Sequence, residues 1–158
     1  MKPSEINSKA KEIVNKYLKD KVITELKGYA KFFTKPEIIQ PTDEATTENM
    51  LKLCNLVIDL QTVRERVVIM FLDIKKAKNR LQRLEMELQS SKKDLYVKQK
   101  NAEQRNLFLF EKAKMVAVGL KKAKMLTEMA ELVLSLIDSH VWALKANNKV
   151  LASAPSQE

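Results

Sequence analysis

Apolar residues recur at spacings of three and four along the middle of the chain. Only Ser91 interrupts the repeat, which covers about six heptads and is typical of a long helix packed against another helix. We therefore predict a long helix over residues 49–96. The repeat positions are Leu53, Leu56, Leu60, Val63, Val67, Met70, Ile74, Ala77, Leu81, Leu84, Leu88, Ser91 and Leu95.

A second repeat of similar length begins at Leu109 and ends at Leu151. The window between the two repeats is strongly polar, which predicts a turn over residues 97–106 and a second long helix over residues 107–151. Because short connections join antiparallel helices, the two helices should form an antiparallel hairpin. Folding the chain about residue 99 pairs positions whose numbers sum to about 198, so Lys76 should lie level with Lys122.

The amino-terminal part has a helical pattern of its own over residues 4–33, with Ser4 as a candidate N-cap. Pro36 and Pro41 predict a linker over residues 34–48, since the residue before a proline avoids the α region. Residues 152–158 form a predicted disordered tail. We therefore predict an all-α fold of one domain: a long, coiled-coil-like antiparallel helical hairpin plus an N-terminal helix, in an elongated three-helix arrangement.

The composition agrees with long helices, because the 158 residues include two glycines and four prolines and 31% of them are charged. Cys54 has no second cysteine with which to form a disulfide within the chain. The longest apolar runs are about six residues, whereas a membrane span needs about 20. These features predict a cytoplasmic protein without a membrane span.

Positive charge is concentrated in one stretch. Residues 75–124 contain 15 Lys and Arg against five Asp and Glu, a net +10, whereas the whole chain carries +9. Such a patch favours binding to the phosphates of a nucleic acid. The candidate contact residues are Lys75, Lys76, Lys78, Arg80, Arg83, Lys92, Lys93, Lys121, Lys122 and Lys124.

Three alternatives explain the same charge without a nucleic acid. The cations can form an ordinary solvated face, with i,i+4 pairs such as Arg83 with Glu87 and Asp94 with Lys98. They can also bind an acidic membrane surface or an acidic protein. In the predicted hairpin the two Lys-Lys-Ala-Lys runs, at residues 75–78 and 121–124, lie at one level, with Ala77 and Ala123 turned inward and their lysines outward.

Three aromatic residues flank the predicted turn, namely Tyr96, Phe108 and Phe110. Aromatic rings beside lysines stack on the bases of single-stranded nucleic acid. The alternative, which we favour, is that these rings cap the core of the hairpin.

Catalysis and metal binding are not predicted. His140 is the only histidine, and Cys54 is distant from it, so we expect no metal site. His140 is instead predicted to be a partly buried or interface residue, and Cys54 a small buried one. The chain contains no glycine-rich phosphate loop and no pattern of a catalytic triad, so we predict a non-enzymatic protein without a cofactor.

The second long helix has apolar residues outside its own repeat, which indicates burial on more than one side. We expect the N-terminal helix to cover part of this second face. The remainder predicts a homo-oligomer. The residues are Met115, Met125, Leu126, Met129, Leu132, Val133 and Leu136.

Two segments resemble the UvsY-type recombination mediators of T-even-like phages, which are small basic helical proteins. Residues 75–84 (KKAKNRLQRL) are similar to the basic long-helix segment of that family, and residues 132–145 (LVLSLIDSHVWALK) to its C-terminal helix. The chain lacks the glycine-containing turn that follows the basic helix in the family.

The resemblance implies a ring-like oligomer that binds single-stranded DNA along its basic residues. It also implies that the protein helps to load a RecA-class recombinase in place of a single-strand-binding protein, with the C-terminal helix mediating assembly. Its site of action would be the cytoplasm of a bacterial host. The alternative is a coiled-coil assembly or adaptor protein of a virion or scaffold, whose basic face is only solvated.

Overall fold

The structure is a computed structural model that describes residues 1–34, 47–93, 98–99 and 101–153. Within these residues the chain forms five helices and no strand, which confirms the all-α class. The helices are α1 (Pro3–Tyr17), α2 (Asp20–Phe33), α3 (Thr47–Ser91), α4 (Ala102–Lys112) and α5 (Lys114–Ser153).

The chain divides into two compact units. The first unit contains Met1–Thr24 and Met70–Glu128, and the second contains Glu25–Ile69 and Met129–Glu158. The helices α3 and α5 each contribute residues to both units. All ten predicted nucleic-acid contacts belong to the first unit.

The predicted repeat on α3 is confirmed by burial. Eight of its positions are less than one-tenth exposed, Val63 and Met70 are half-buried, and Leu56 (38% exposed) and Ser91 are exposed. Leu95 lies outside the described residues. The buried repeat residues of α3 are Leu53, Leu60, Val67, Ile74, Ala77, Leu81, Leu84 and Leu88.

In the first unit, the amino-terminal segment runs in the same direction as the start of α5. Asn7 Oδ1 accepts a hydrogen bond from the backbone N–H of Met115 at 2.8 Å. Farther along, Asp20 Oδ1 lies 2.8 Å from Lys122 Nζ. Advancing along the amino-terminal segment therefore also advances along α5, so the two are parallel.

The same segment runs against α3. The amino group of Met1 lies 3.8 Å from a carboxylate oxygen of Glu87, whereas Tyr17 contacts Arg80, seven residues earlier on α3. Because α1 is parallel to α5 and antiparallel to α3, α3 and α5 are antiparallel to each other in this unit. The predicted hairpin geometry and the covering N-terminal helix are both present here.

Gly119 permits close packing in the core of the first unit. A Cβ atom at this position would lie 2.9 Å from Leu81 Cδ1 and 2.9 Å from Val14 Cγ2, closer than real Cβ contacts come. Its role is therefore close approach of α5 to α1 and α3, and α5 continues through it. The Leu81 contact pairs positions whose numbers sum to 200, against the predicted 198.

Gly119→Ala should lower the free energy of unfolding by about 1 kcal/mol. Overpacking costs about 1–3 kcal/mol, and the higher helix propensity of alanine offsets up to about 1 kcal/mol of that. Gly28→Ala is the matched control, because nothing lies within 4 Å of a Cβ there. It should stabilise by about 0.5–1 kcal/mol in urea denaturation. Equal effects of the two substitutions would contradict the packing role of Gly119.

The predicted N-terminal helix over residues 4–33 is divided in two by the structure. The helix α1 ends at Tyr17, and Leu18 adopts φ −113° and ψ 43°, outside the helical region. Leu18 is fully buried, and its N–H still donates to the Val14 carbonyl at 2.9 Å. The break turns an apolar side chain into the core while keeping its backbone donor satisfied.

The second long helix also starts and continues differently from the prediction. Asn101 is an N-cap whose Oδ1 accepts from the Gln104 N–H at 2.8 Å, so α4 begins at Ala102, inside the predicted turn. The chain then leaves the helical region at Ala113, with φ −149° and ψ 70°. The predicted uninterrupted helix over residues 107–151 is therefore wrong at this point.

The remaining predicted boundaries are met only in part by the described residues. The helix α3 begins at Thr47, two residues before its predicted start, and its regular part ends at Ser91. Most of the predicted linker, residues 35–46, lies outside the described residues. Residues 154–158 of the predicted tail also lie outside them. Residues 152–153 belong to α5.

In the second unit, α2, α3 and α5 are joined by polar contacts. Arg64 Nε on α3 lies 2.7 Å from Asp138 Oδ1 on α5, and Arg66 pairs with Glu25 on α2. Hydrogen bonding to their carboxylate partners raises the pKa of both guanidinium groups. These contacts fix α3 against each of its two neighbours.

Candidate nucleic-acid interface

The two units differ sharply in charge. The first unit contains 21 Lys and Arg against ten Asp and Glu, a net +11. The second contains eight against ten, a net −2. The positive charge of the chain is therefore a property of one folded unit.

In each Lys-Lys-Ala-Lys run the alanine is buried in the core of the first unit, and the lysines lie at or near the surface. Ala77 and Ala123 have no exposed surface, and the pairing set by Leu81 and Gly119 brings these alanines opposite each other. Successive helical residues are 100° apart, so the lysines around each alanine point to different sides. The two runs therefore surround the hairpin at one level and do not form a single flat face. The exposed lysines of the two runs are Lys75, Lys76, Lys121 and Lys124. The half-buried ones are Lys78 and Lys122.

One basic stripe of α3 borders α1. Lys76, Arg80 and Arg83 have the i, i+4, i+7 spacing that places residues on one side of a helix. Arg80 Nη1 donates to the Tyr17 hydroxyl at 3.2 Å, and its guanidinium carbon lies 5.4 Å from the centre of the same ring. Tyr17 thus holds the middle cation of the stripe in place.

Two of the ten cations are paired with carboxylates. Lys122 Nζ lies 2.8 Å from Asp20, and Lys76 Nζ lies 3.6 Å from Asp73. The Lys122 hydrogen bond and charge lower the pKa of the Asp20 carboxyl below its ordinary value. These two lysines are partly neutralised by the protein itself.

The other eight cations have no carboxylate of the described chain within 4 Å. The sequence-predicted pair of Arg83 with Glu87 is wrong, because Glu87 contacts the Met1 amino group instead. The predicted pair of Asp94 with Lys98 lies partly outside the described residues. These cations, which have no ion pair with the described residues, are Lys75, Lys78, Arg80, Arg83, Lys92, Lys93, Lys121 and Lys124.

The aromatic residues near the turn have different environments. Phe108 is 6% exposed and belongs to the core, as the favoured alternative predicted. Phe110 is 50% exposed, and Lys114 Nζ lies 5.4 Å from its ring centre. Tyr96 lies outside the described residues. Of the two rings that the structure describes near the turn, Phe110 is the exposed one.

Glu85 is a half-buried carboxyl in this basic unit. Burial raises its pKa above the ordinary value of 4.5. Because the folded pKa exceeds the unfolded one, the folded state holds the proton more tightly. Stability therefore falls as pH rises from 4.5 through the folded pKa, and it stays lowered at pH 7.

Glu85→Gln should raise the melting temperature at pH 7, because it removes the cost of a half-buried charge. The gain should vanish below pH 4.5, where the wild-type carboxyl is protonated in both states. Thermal unfolding of both proteins between about pH 4 and pH 7 measures this. Glu12→Gln, at an exposed position on α1, is the control and should show no such pH-dependent gain. A pH-independent effect at Glu85 would contradict the assignment.

No metal site is found among the described residues, because no group of three or more His, Cys, Asp or Glu side chains is close enough to hold an ion. His140 is partly buried, and its Nε2 donates to the Phe33 carbonyl at 2.9 Å. Cys54 is exposed, so its predicted burial is wrong. It follows Leu53, which faces the core, and the 100° step turns Cys54 away.

The extra apolar face of α5 is only partly covered. Leu126 and Val133 are fully buried, as expected for a face covered by other helices. Met125 and Leu132 of this face are 40% and 51% exposed, and Trp142, farther along α5, is 74% exposed. Within the described residues, no helix is long and apolar enough to cross a membrane.

Comparison with protein-family models, curated proteins and solved structures found no match to this chain.

Proposed function

We propose that this chain is a non-enzymatic accessory protein that binds single-stranded DNA and acts as an oligomeric mediator of recombination or replication. The observation that carries the proposal is the first unit, with its net +11 and eight cations that have no carboxylate of the described residues within 4 Å. Crowded lysines repel one another, and a phosphate backbone offsets that cost while releasing counterions.

The preference for a single strand rests on Phe110. Its half-exposed ring lies beside Lys114, and the combination of a ring for base stacking with a cation for the backbone suits unpaired nucleotides. A duplex hides its base faces and gains nothing from such a ring. The arrangement of cations around the hairpin also suits a flexible strand that can wrap it.

The mediator role and the oligomer rest on further observations. The segments at residues 75–84 and 132–145 carry the resemblance to UvsY-type mediators, for which a recombinase and a single-strand-binding protein are the partners. The exposed Leu132 and Trp142 lie in the second segment and offer apolar surface for assembly. Large exposed aromatic residues are enriched in contacts between proteins.

Fluorescence anisotropy with a labelled oligonucleotide of about 30 bases tests the binding. If six or more phosphates of the single strand are contacted, affinity should fall by about 10²-fold or more between about 50 and 200 mM salt. A duplex of the same length is the control and should bind more weakly. Absence of binding at 50 mM salt would refute the proposal.

A second candidate function is a coiled-coil assembly or adaptor protein. Leu51, Ile58 and Ile69 on α3 are 59–62% exposed and turn away from the buried repeat. They provide an apolar stripe for another helix. Light scattering distinguishes the two functions, since this one requires a protein complex whose formation is unaffected by nucleic acid.

A further inference from the structure

A groove of about 970 Å³ lies within the first unit. Its walls come mainly from α4 and α5 and are largely apolar. This volume is near the upper limit of the usual range for ligand pockets, which is about 300–1,000 Å³. The apolar lining on these two helices is Leu109, Phe110, Ala117, Val118, Leu120 and Met125.

The polar part of the lining is positive. Lys121, Lys122 and Lys124 line the groove, and Glu85 is its one acidic residue. Lys121 and Lys124 are exposed, lie one turn apart on α5 and have no carboxylate of the described residues within 4 Å. An occupant should therefore combine apolar side chains with negative charge.

The shape of the groove favours a helix as the occupant. Its lining on α5 extends from Ala117 to Met125, which at 1.5 Å per residue is about 12 Å, or two helical turns. Phe110 and Met125 remain 50% and 40% exposed, so the groove opens to solvent along its length. Amphipathic helices bind such open grooves through apolar residues at i, i+3 or i+4, and i+7.

We propose that this groove binds an acidic amphipathic helix of a partner protein. The apolar face of the helix packs on Val118, Leu120 and Met125, and its flanking carboxylates pair with Lys121 and Lys124. A nucleic-acid backbone matches the lysines but not the apolar lining. The proposal does not depend on DNA binding.

The probe is a labelled synthetic helix of about 14 residues with leucines at i, i+3, i+4 and i+7 and glutamates on the flanks. It should bind the wild-type protein, whereas a scrambled peptide and one with lysine for glutamate should bind at least tenfold more weakly. Equal binding of all three peptides, or no binding, overturns the proposal. The proposal is also overturned if the protein binds dodecanoate but does not bind the peptide, since the occupant is then a long-chain anion.

Two variants locate the site. Lys121→Glu with Lys124→Glu should weaken the glutamate peptide at least tenfold and improve the lysine peptide, which loss of folding cannot do. Val118→Ser with Met125→Ser should weaken the peptide about tenfold and leave single-stranded DNA binding unchanged. If the serine variant binds the peptide like the wild type, the groove is not the site. If the wild-type protein binds the peptide but not single-stranded DNA, the proposed DNA-binding function is refuted and the groove proposal stands.

Discussion

Leu81→Ala is expected to lower the free energy of unfolding by about 2–5 kcal/mol. Leu81 is fully buried, and its methyl groups pack against Gly119, where no side chain can move in to fill the space. Deleting these atoms therefore loses their transfer free energy and leaves a cavity. Urea denaturation followed by circular dichroism measures the change.

Met86→Ala on the same helix is the matched control. Met86 is 60% exposed, so the substitution should change stability by no more than about 0.5 kcal/mol. Equal effects at the two positions would show that α3 is not packed in this register. In the Leu81→Ala background, Gly119→Ala should also cost less than in the wild type, because one of its two close contacts is gone.

Replacing Lys75, Lys78 and Arg83 by glutamate is expected to weaken single-stranded DNA binding by about 10²–10³-fold at about 100 mM salt. Each phosphate contact on a single strand contributes about 0.7 to the slope of log affinity against log salt, so three lost contacts cost about 2.1 log units at about 0.1 M. None of the three residues lines the groove or forms an ion pair with the described residues. A loss of affinity therefore reports on the DNA surface itself.

The control carries the same change of charge on the second unit. Lys27, Lys31 and Lys145 are exposed, and their replacement by glutamate alters net charge equally. At about 100 mM salt the Debye length is about 10 Å, so a charge that makes no phosphate contact is largely screened, and affinity should change only a few-fold. Equal losses in the two variants would show that binding follows net charge and not the first unit.

The long helices were predictable because burial repeats with the helical period. The positions from Leu53 to Leu88 are apolar wherever the helix faces its neighbours, and a sequence records that directly. The break at Ala113 was not predictable from local sequence. Asn7, 108 residues away, accepts the Met115 N–H that the new helix start leaves unpaired, and no neighbouring residue signals this contact.

The sequence predicts which stretch of the chain carries the candidate site, but it does not predict how the side chains of that stretch are arranged on the folded surface. The excess of lysine and arginine is visible in the sequence, and the alanines within the lysine runs correctly indicate the buried side. The partner of Lys122 is Asp20, 102 residues away, so its neutralisation follows only from the fold. The groove beside Lys121 depends on several helices meeting, and Cys54 shows that an apolar residue type alone does not establish burial.

The salt dependence of binding tests the central claim most directly. Anisotropy titrations with single-stranded DNA should be made from about 50 to 200 mM salt for the wild type and for the variant with glutamate at positions 75, 78 and 83. Our account predicts a steep linear fall of log affinity with log salt, and a slope about two units shallower in the variant. A wild-type affinity that ignores salt, or equal slopes in both proteins, would contradict it.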